Sequence, residues 1–140
     1  MPRPNGKRLP GDPLRHIPLV ERRKLVAHAF SGVIEAIELE EDLTVYRHWG
    51  GKSAKTPAPW LSPKKYPSAA AARRGLALPD GNTADNVDSF VIPKGTIILL
   101  GRAASQVGQD GFGSYATGGD EQIYLPDPTA ARSASGGTKS

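Results

Sequence analysis

VDSFVIPKGTIILLGRAA, residues 87–104, decides the architecture. Its first half, VDSFVIP (87–93), is rich in β-branched and aromatic residues that suit a pleated surface. Pro93-Lys94-Gly95 interrupts it with turn chemistry. The second half, GTIILLGRAA (95–104), is nearly all apolar through Ile97–Leu100. A strand apolar at successive positions has no face left for water, so this one is predicted to be central and buried. Upstream, LTVYRHW (43–49) is a further strand, in which alternation places Leu43, Val45, Arg47 and Trp49 on one face. Gly50-Gly51 ends it, KSAKTPAP (52–59) is a loop, and Trp60-Leu61-Ser62 is a short extended piece stopped by Pro63.

SAAAARRGLALP (68–79) reads as a helix, capped by Ser68 and closed by Pro79. DGNTADN (80–86) is a turn. Downstream lies a glycine-rich loop, QVGQDGFGSYATGGD (106–120), and then EQIYLP (121–126), the last predicted strand. There Gln122 and Tyr124 share one face while Glu121, Ile123 and Leu125 share the other. Toward the N-terminus, Pro18 suits a helix start, and Val26, Phe30, Val33 and Ile37 recur at helical spacing. They predict a helix over 18–39, weakest at Gly32. Residues 1–16 read as a flexible basic lead, 17–128 as a single domain and 129–140 as a disordered Ser/Gly/Ala-rich tail. Short strands, one or two helices and a long glycine loop make an α+β chain with a predominantly antiparallel sheet.

Composition narrows the chemistry. The 140 residues suffice for one domain. With no cysteine, disulfides and thiolate metal sites are excluded, and three histidines without ligand spacing argue against zinc. No apolar run of about 18 residues is present to span a membrane, and the N-terminal stretch lacks the apolar core of a secretory signal. The net charge is +4, with cations gathered in Arg3–Arg8 and Arg15–Arg23. Such an arm can touch phosphate nonspecifically. No aromatic residue interleaves with these cations, so a base-stacking platform, and nucleic acid as a partner, are not expected.

Four features could carry chemistry. Arg47 stands on the face that otherwise turns to the core, where its planar fork could grip a phosphate or carboxylate; the plain alternative is a snorkelling strand-end arginine. Trp60-Leu61-Ser62-Pro63 could offer an aromatic wall and a hydroxyl, or simply core and turn. Arg73-Arg74 could meet a phosphate, or be solvated. Gly118-Gly119 permits a sharp turn into the strand that carries Gln122, a common setting for a site. Gly111-Phe112-Gly113 neither follows a strand nor opens a helix, so it is no dinucleotide fingerprint. Neither His48, which alternates away from Arg47, nor His28, read as a helix-surface residue, forms a catalytic triad.

Taken in order, these pieces resemble the ADP-ribosyltransferase superfamily, and within it the tuberculosis-necrotizing-toxin-like NAD glycohydrolases. The resemblance rests on Arg47, Trp60-Leu61-Ser62-Pro63, Arg73 and Arg74 before Leu78-Pro79, Phe90–Thr96, Gly101–Ala104, Phe112 and Gly118-Gly119-x-x-Gln122, spanning about residues 43–126. Trp60 replaces the family's phenylalanine, the Gly101–Gly118 spacing is long, and Gln122 stands where transferases carry a catalytic glutamate. A register slip at Gly119 would put Glu121 there instead.

The resemblance implies small split antiparallel β-sheets with one N-terminal helix and one short helix. It implies an enzyme that consumes NAD or NADP without a metal. Arg47 and one of Arg73 and Arg74 would hold the phosphates, Ser62 would steady the ribose or Gln122, and Trp60, Tyr66 or Phe112 would stack on nicotinamide. Gln122 would orient the ribose hydroxyls. It further implies a toxin domain with a larger delivery chain and an immunity protein, secreted to act in a target-cell cytoplasm. A mono-ADP-ribosyltransferase and a non-enzymatic basic binding module are the competing readings.

Overall fold

The apolar run of residues 97–100 lies at the middle of a five-stranded sheet. In the computed structural model, which describes residues 4–55 and 59–133, the strands and helices follow as β1 (Gly6–Arg8), α1 (Val20–Ala29), β2 (Phe30–Leu39), β3 (Leu43–Trp49), β4 (Trp60–Leu61), α2 (Ala69–Gly75), β5 (Asn86–Ile92), β6 (Ile97–Ala103), β7 (Glu121–Tyr124) and β8 (Arg132–Ser133). One sheet has the order β1-β2-β6-β7-β4 and the other β3-β5-β8. Every pairing within them is antiparallel. The fold is α+β, with two small split antiparallel sheets, one N-terminal helix and one short helix.

β6 explains its own composition. Ile98 and Leu100 join Val45, Phe90 and Ile92 of the second sheet in the main core, with Ile37, Leu39, Leu61, Ile123 and Leu125. Leu99 points the other way, into a cluster with Ile17, Val26, Phe30 and Tyr124 beneath α1. Both faces are therefore dry, and each buried Leu or Ile contributes roughly 1.5–3 kcal/mol. The turn at Pro93-Lys94-Gly95 does not close a hairpin: β5 belongs to one sheet and β6 to the other. The chain changes sheets again at Ser62. Trp60 and Leu61 pair with β7, whereas the Ser62 and Tyr46 backbones exchange two 2.8 Å hydrogen bonds.

Three expectations need correction. The helix predicted over 18–39 stops at Ala29, and residues 30–39 form β2. Gly32 has φ +72°, outside the helical range, and β-branched Val33, Ile34 and Ile37 prefer an extended chain. The helical stripe is split: Val26 and Phe30 enter the cluster under α1, Ile37 enters the main core, and Val33 is 73% exposed. The lead is not flexible throughout, since β1 pairs with β2 and the turn at Pro13–His16 leads into buried Ile17. EQIYLP is not the last strand. β8 follows it and pairs with Phe90 and Val91, so the tail is ordered at least that far. The remainder of the predicted disordered tail, 134–140, lies outside the described residues.

The α2 reading holds locally. The Ser68 hydroxyl accepts from the Ala71 N–H at 3.1 Å, and the helix ends at Gly75, four residues before Pro79. No helix among the described residues is long and apolar enough to cross a membrane.

Candidate functional site

A cleft of about 360 Å³ opens where the two sheets diverge. That volume falls in the range of small-molecule pockets. Arg47, Trp60, Phe112 and Gln122 all line it, although they come from β3, β4, the glycine loop and β7. The rest of the wall is mostly apolar, with Leu25 and Ala29 from α1 and Leu76–Pro79 from the segment after α2. No Asp or Glu among the described residues lines this inner cleft. A wider groove of about 640 Å³ adjoins it, sharing Leu25, His28, Gln106 and Phe112, and there Glu21, Lys24 and Asp110 add charge.

Arg47 arrives by simple alternation. Val45 and its cross-strand neighbour Phe90 are core, so Arg47 and Asp88, the next pair on that face, stand at the core's edge. The guanidinium makes no ion pair among the described residues. The Asp88 carboxylate accepts from the Trp49 indole N–H at 2.7 Å and faces Lys55 at 3.6 Å. Arg47 instead donates to backbone: Nε and Nη2 to the Ala54 carbonyl at 3.4 and 3.1 Å, Nη1 to the Trp60 carbonyl at 3.2 Å. Three of the guanidinium's five N–H donors are engaged in these bonds, and the other two have no partner among the described residues. Burial pushes the Arg47 pKa down, but an arginine remains charged. Its positive charge therefore faces the cleft without a carboxylate to neutralise it.

Gln122 is 6% exposed. Its Nε2 donates to the Ala29 carbonyl at the end of α1, at 2.8 Å, which leaves the side-chain carbonyl oxygen as the free function. Gly101 sits opposite Gln122 in the ladder. A Cβ there would come within 2.7 Å of the Phe30 ring, so glycine lets that ring pack beside the amide. The turn into β7 is built by Gly118 and Gly119, with φ of +68° and +100°. It is fastened to α2: Gly118 N–H donates to the Arg74 carbonyl at 2.8 Å and Asp120 N–H to that of Gly75 at 3.2 Å. Trp60 packs edge-on against Tyr124, ring centroids 4.7 Å apart, and is held at the cleft by that contact.

The other sequence candidates lie elsewhere. Ser62 is fully buried, and its hydroxyl donates to the Lys64 carbonyl and accepts the Lys64 N–H, forming a turn at the corner between the sheets. Tyr66 is buried behind the cleft, its hydroxyl donating to Asp120 at 2.7 Å. Arg73 stacks on the Tyr115 ring at 4.3 Å and lies 4.0 Å from Asp80, while Arg74 is exposed. Glu121 pairs with Arg102 in the ladder, on the face opposite Gln122. None of these five lines the cleft.

Sequence reasoning missed Ala29, Leu76, Asn82 and Gln106. Only Asn82 gave a signal, as an asparagine in a turn. It is 2% exposed, donates to the His48 carbonyl at 3.0 Å and accepts from Ala84 N–H at 2.9 Å. His28 is exposed, as expected, yet stands on the cleft wall. Among the described residues no group of three or more His, Asp or Glu side chains is placed to hold a metal ion. No family model, curated protein or solved structure matches the chain.

Proposed function

We propose that the cleft binds NAD or NADP and hydrolyses the nicotinamide–ribose bond. The observation that carries this reading is the meeting of Arg47 and Gln122, 75 positions apart, in one apolar-walled cleft in which no carboxylate competes for the guanidinium. Two N–H donors without a partner among the described residues, on a charged, half-buried fork, suit a pyrophosphate. Trp60 and Phe112 supply faces on which a nicotinamide or adenine ring can stack. The inner cleft is small for a whole dinucleotide, and the adjoining groove extends it past Phe112.

In this reading Gln122 presents its carbonyl oxygen, because its Nε2 is bonded to Ala29. The oxygen accepts from a ribose hydroxyl and lies near positive charge that develops as the C–N bond breaks. Neutral nicotinamide leaves with the bonding electron pair, so no strong acid is required. Water adds to the oxocarbenium-like carbon and releases a proton. The products are nicotinamide, ADP-ribose (or its phosphorylated form) and a proton. A transferase would gain from a carboxylate that activates an acceptor, and the inner cleft offers none, so hydrolysis is the better-supported reaction. A toxin role, a delivery chain and an immunity partner follow only from the sequence resemblance.

The test is free nicotinamide after mixing the full chain with NAD or NADP, without any acceptor protein. Release in wild type that falls at least about 100-fold in kcat for Gln122→Ala, with KM changed far less, supports the reading. Absence of release, together with no rise in melting temperature on adding either dinucleotide, removes it.

A further inference from the structure

Arg47 and Gln122 belong to different sheets, and a cleft between two sheets keeps its shape only if the sheets are tied. One tie is the corner at Ser62. A second runs through Tyr66, by its backbone N–H at one end and its hydroxyl at the other. His48, next to Arg47 on β3, is 5% exposed and accepts the Tyr66 N–H at Nε2, 3.2 Å away. The two rings meet edge to face with centroids 5.2 Å apart. At its other end Tyr66 donates its hydroxyl to Asp120, two residues before Gln122. The Lys64 ammonium lies 4.6 Å above the Tyr66 ring and 3.8 Å from the Asp120 carboxylate, closing the group. Asp120 in turn holds the sheet, its carbonyl accepting from Ala103 N–H at 2.8 Å.

We infer that Tyr66 is a positioning residue: through His48 and Asp120 it sets Arg47 and Gln122 relative to each other. Three observations favour a brace over ordinary packing. Its polar ends contact the neighbours of the two cleft residues, from opposite sheets. The hydroxyl bond is charge-assisted, and a bond to an ionised carboxylate is stronger than one between neutral groups. The Gly118-Gly119 turn that precedes Asp120 is already bonded through its backbone to α2 and β6, so the bond from the Asp120 carboxylate to Tyr66 adds the link that leads on to His48 of β3. The effect on catalysis rests on the NAD reading; the effect on geometry does not.

Nitrogen-15 NMR of the full chain separates the two. The Arg47 Nε–H and Gln122 Nε2 signals are followed in Tyr66→Phe, Asp120→Ala and Asp120→Asn, alongside nicotinamide release. Tyr66→Phe and Asp120→Ala are expected to move both cleft signals, whereas Asp120→Asn, which keeps a carbonyl acceptor, recovers most of the wild-type positions. In Tyr66→Phe and Asp120→Ala kcat falls about 10-fold with KM changed less, following small misplacement of reacting groups, and Asp120→Asn recovers most of it. Unmoved Arg47 and Gln122 signals in a folded Tyr66→Phe or Asp120→Ala protein overturn the inference. If wild type releases no nicotinamide, the NAD reading fails while the NMR comparison still decides the brace. Should Tyr66→Phe not fold, the two Asp120 variants carry the comparison.

Discussion

Two arginines that look alike in the sequence meet opposite fates. Arg47 and Arg73 are both half-buried, and both were candidates for holding phosphate. Arg73 lies over the Tyr115 ring and beside Asp80, and Tyr115 donates to the same Asp80 carboxylate at 2.9 Å. Its charge is answered within the protein. Arg47 is held by the carbonyls of Ala54 and Trp60, which orient the fork but supply only dipoles. What separates the two guanidiniums is therefore whether the partner within the protein is an anion, and that partner comes from tertiary structure.

The largest expected effect tests this contrast directly. Arg47→Ala should lower kcat/KM for nicotinamide release about 100-fold or more, since a charged hydrogen-bond donor to the substrate is lost. Arg73→Ala should leave kcat/KM within about two-fold. Equal losses in both variants would erase the distinction.

Acid should strain the Arg47 side first. Burial, then the charges of Arg47 and Lys65, push the His48 pKa from 6.5 down to about 4. Because Nε2 accepts from Tyr66, the ring hydrogen sits on Nδ1, which is buried without a partner among the described residues. The folded pKa lies below the unfolded one, so the unfolded chain takes up the proton first as pH falls. Stability supplied by neutral His48 is complete above about pH 6.5 and drains between 6.5 and about 4, a loss on the order of 3 kcal/mol. Urea unfolding across this window should slope steeply for wild type and less for His48→Gln. Parallel slopes would refute the assignment.

The faces on which Arg47 and Gln122 stand were legible before the structure, though the contrast between the two arginines was not. Alternation in LTVYRHW put Arg47 on the core face because Val45 and Leu43 demanded burial, and alternation in EQIYLP separated Gln122 from Glu121. The α1–β2 boundary was not legible, because Val26, Phe30, Val33 and Ile37 match a helical period while lying on two elements. Two- and three-residue strands such as β1 and β8 are too short to leave a period at all. Ser62, Tyr66 and Arg73 have the right chemistry for a site, yet hydrogen bonds to Lys64, His48 and Asp120 hold the first two, and the Tyr115 ring and the Asp80 ion pair hold Arg73. No local pattern encodes those pairings.

The Gln122 side of the cleft offers the next test. Gln122→Glu would place an acceptor-only carboxylate against the Ala29 carbonyl, which now accepts from Nε2 as well as from the Ala104 N–H. Loss of the Nε2 bond and the repulsion that replaces it should cost about 2 kcal/mol. The melting temperature should fall at neutral pH and partly recover as the carboxyl is protonated. A melting temperature equal to wild type would mean that Gln122 is not held by α1.

The smallest effect returns to Arg73. A guanidinium over an aromatic face at a partly exposed site contributes about 0.5–1 kcal/mol. Its ion pair, with side chains 30% and 56% exposed, adds at most a fraction of that after solvent screening. Arg73→Ala should thus lower the melting temperature by about 3–5 °C for a domain of this size. Arg74→Ala, one residue on but exposed, should lower it by less than about 1 °C. Tyr115→Phe separates the share of the ring from that of the hydroxyl, because the ring remains under Arg73 while the hydroxyl's contacts with Leu78 and Asp80 are lost. If Arg73→Ala destabilised no more than Arg74→Ala, Arg73 would hold an unspent charge like that of Arg47, and the difference between the two arginines would rest on position alone.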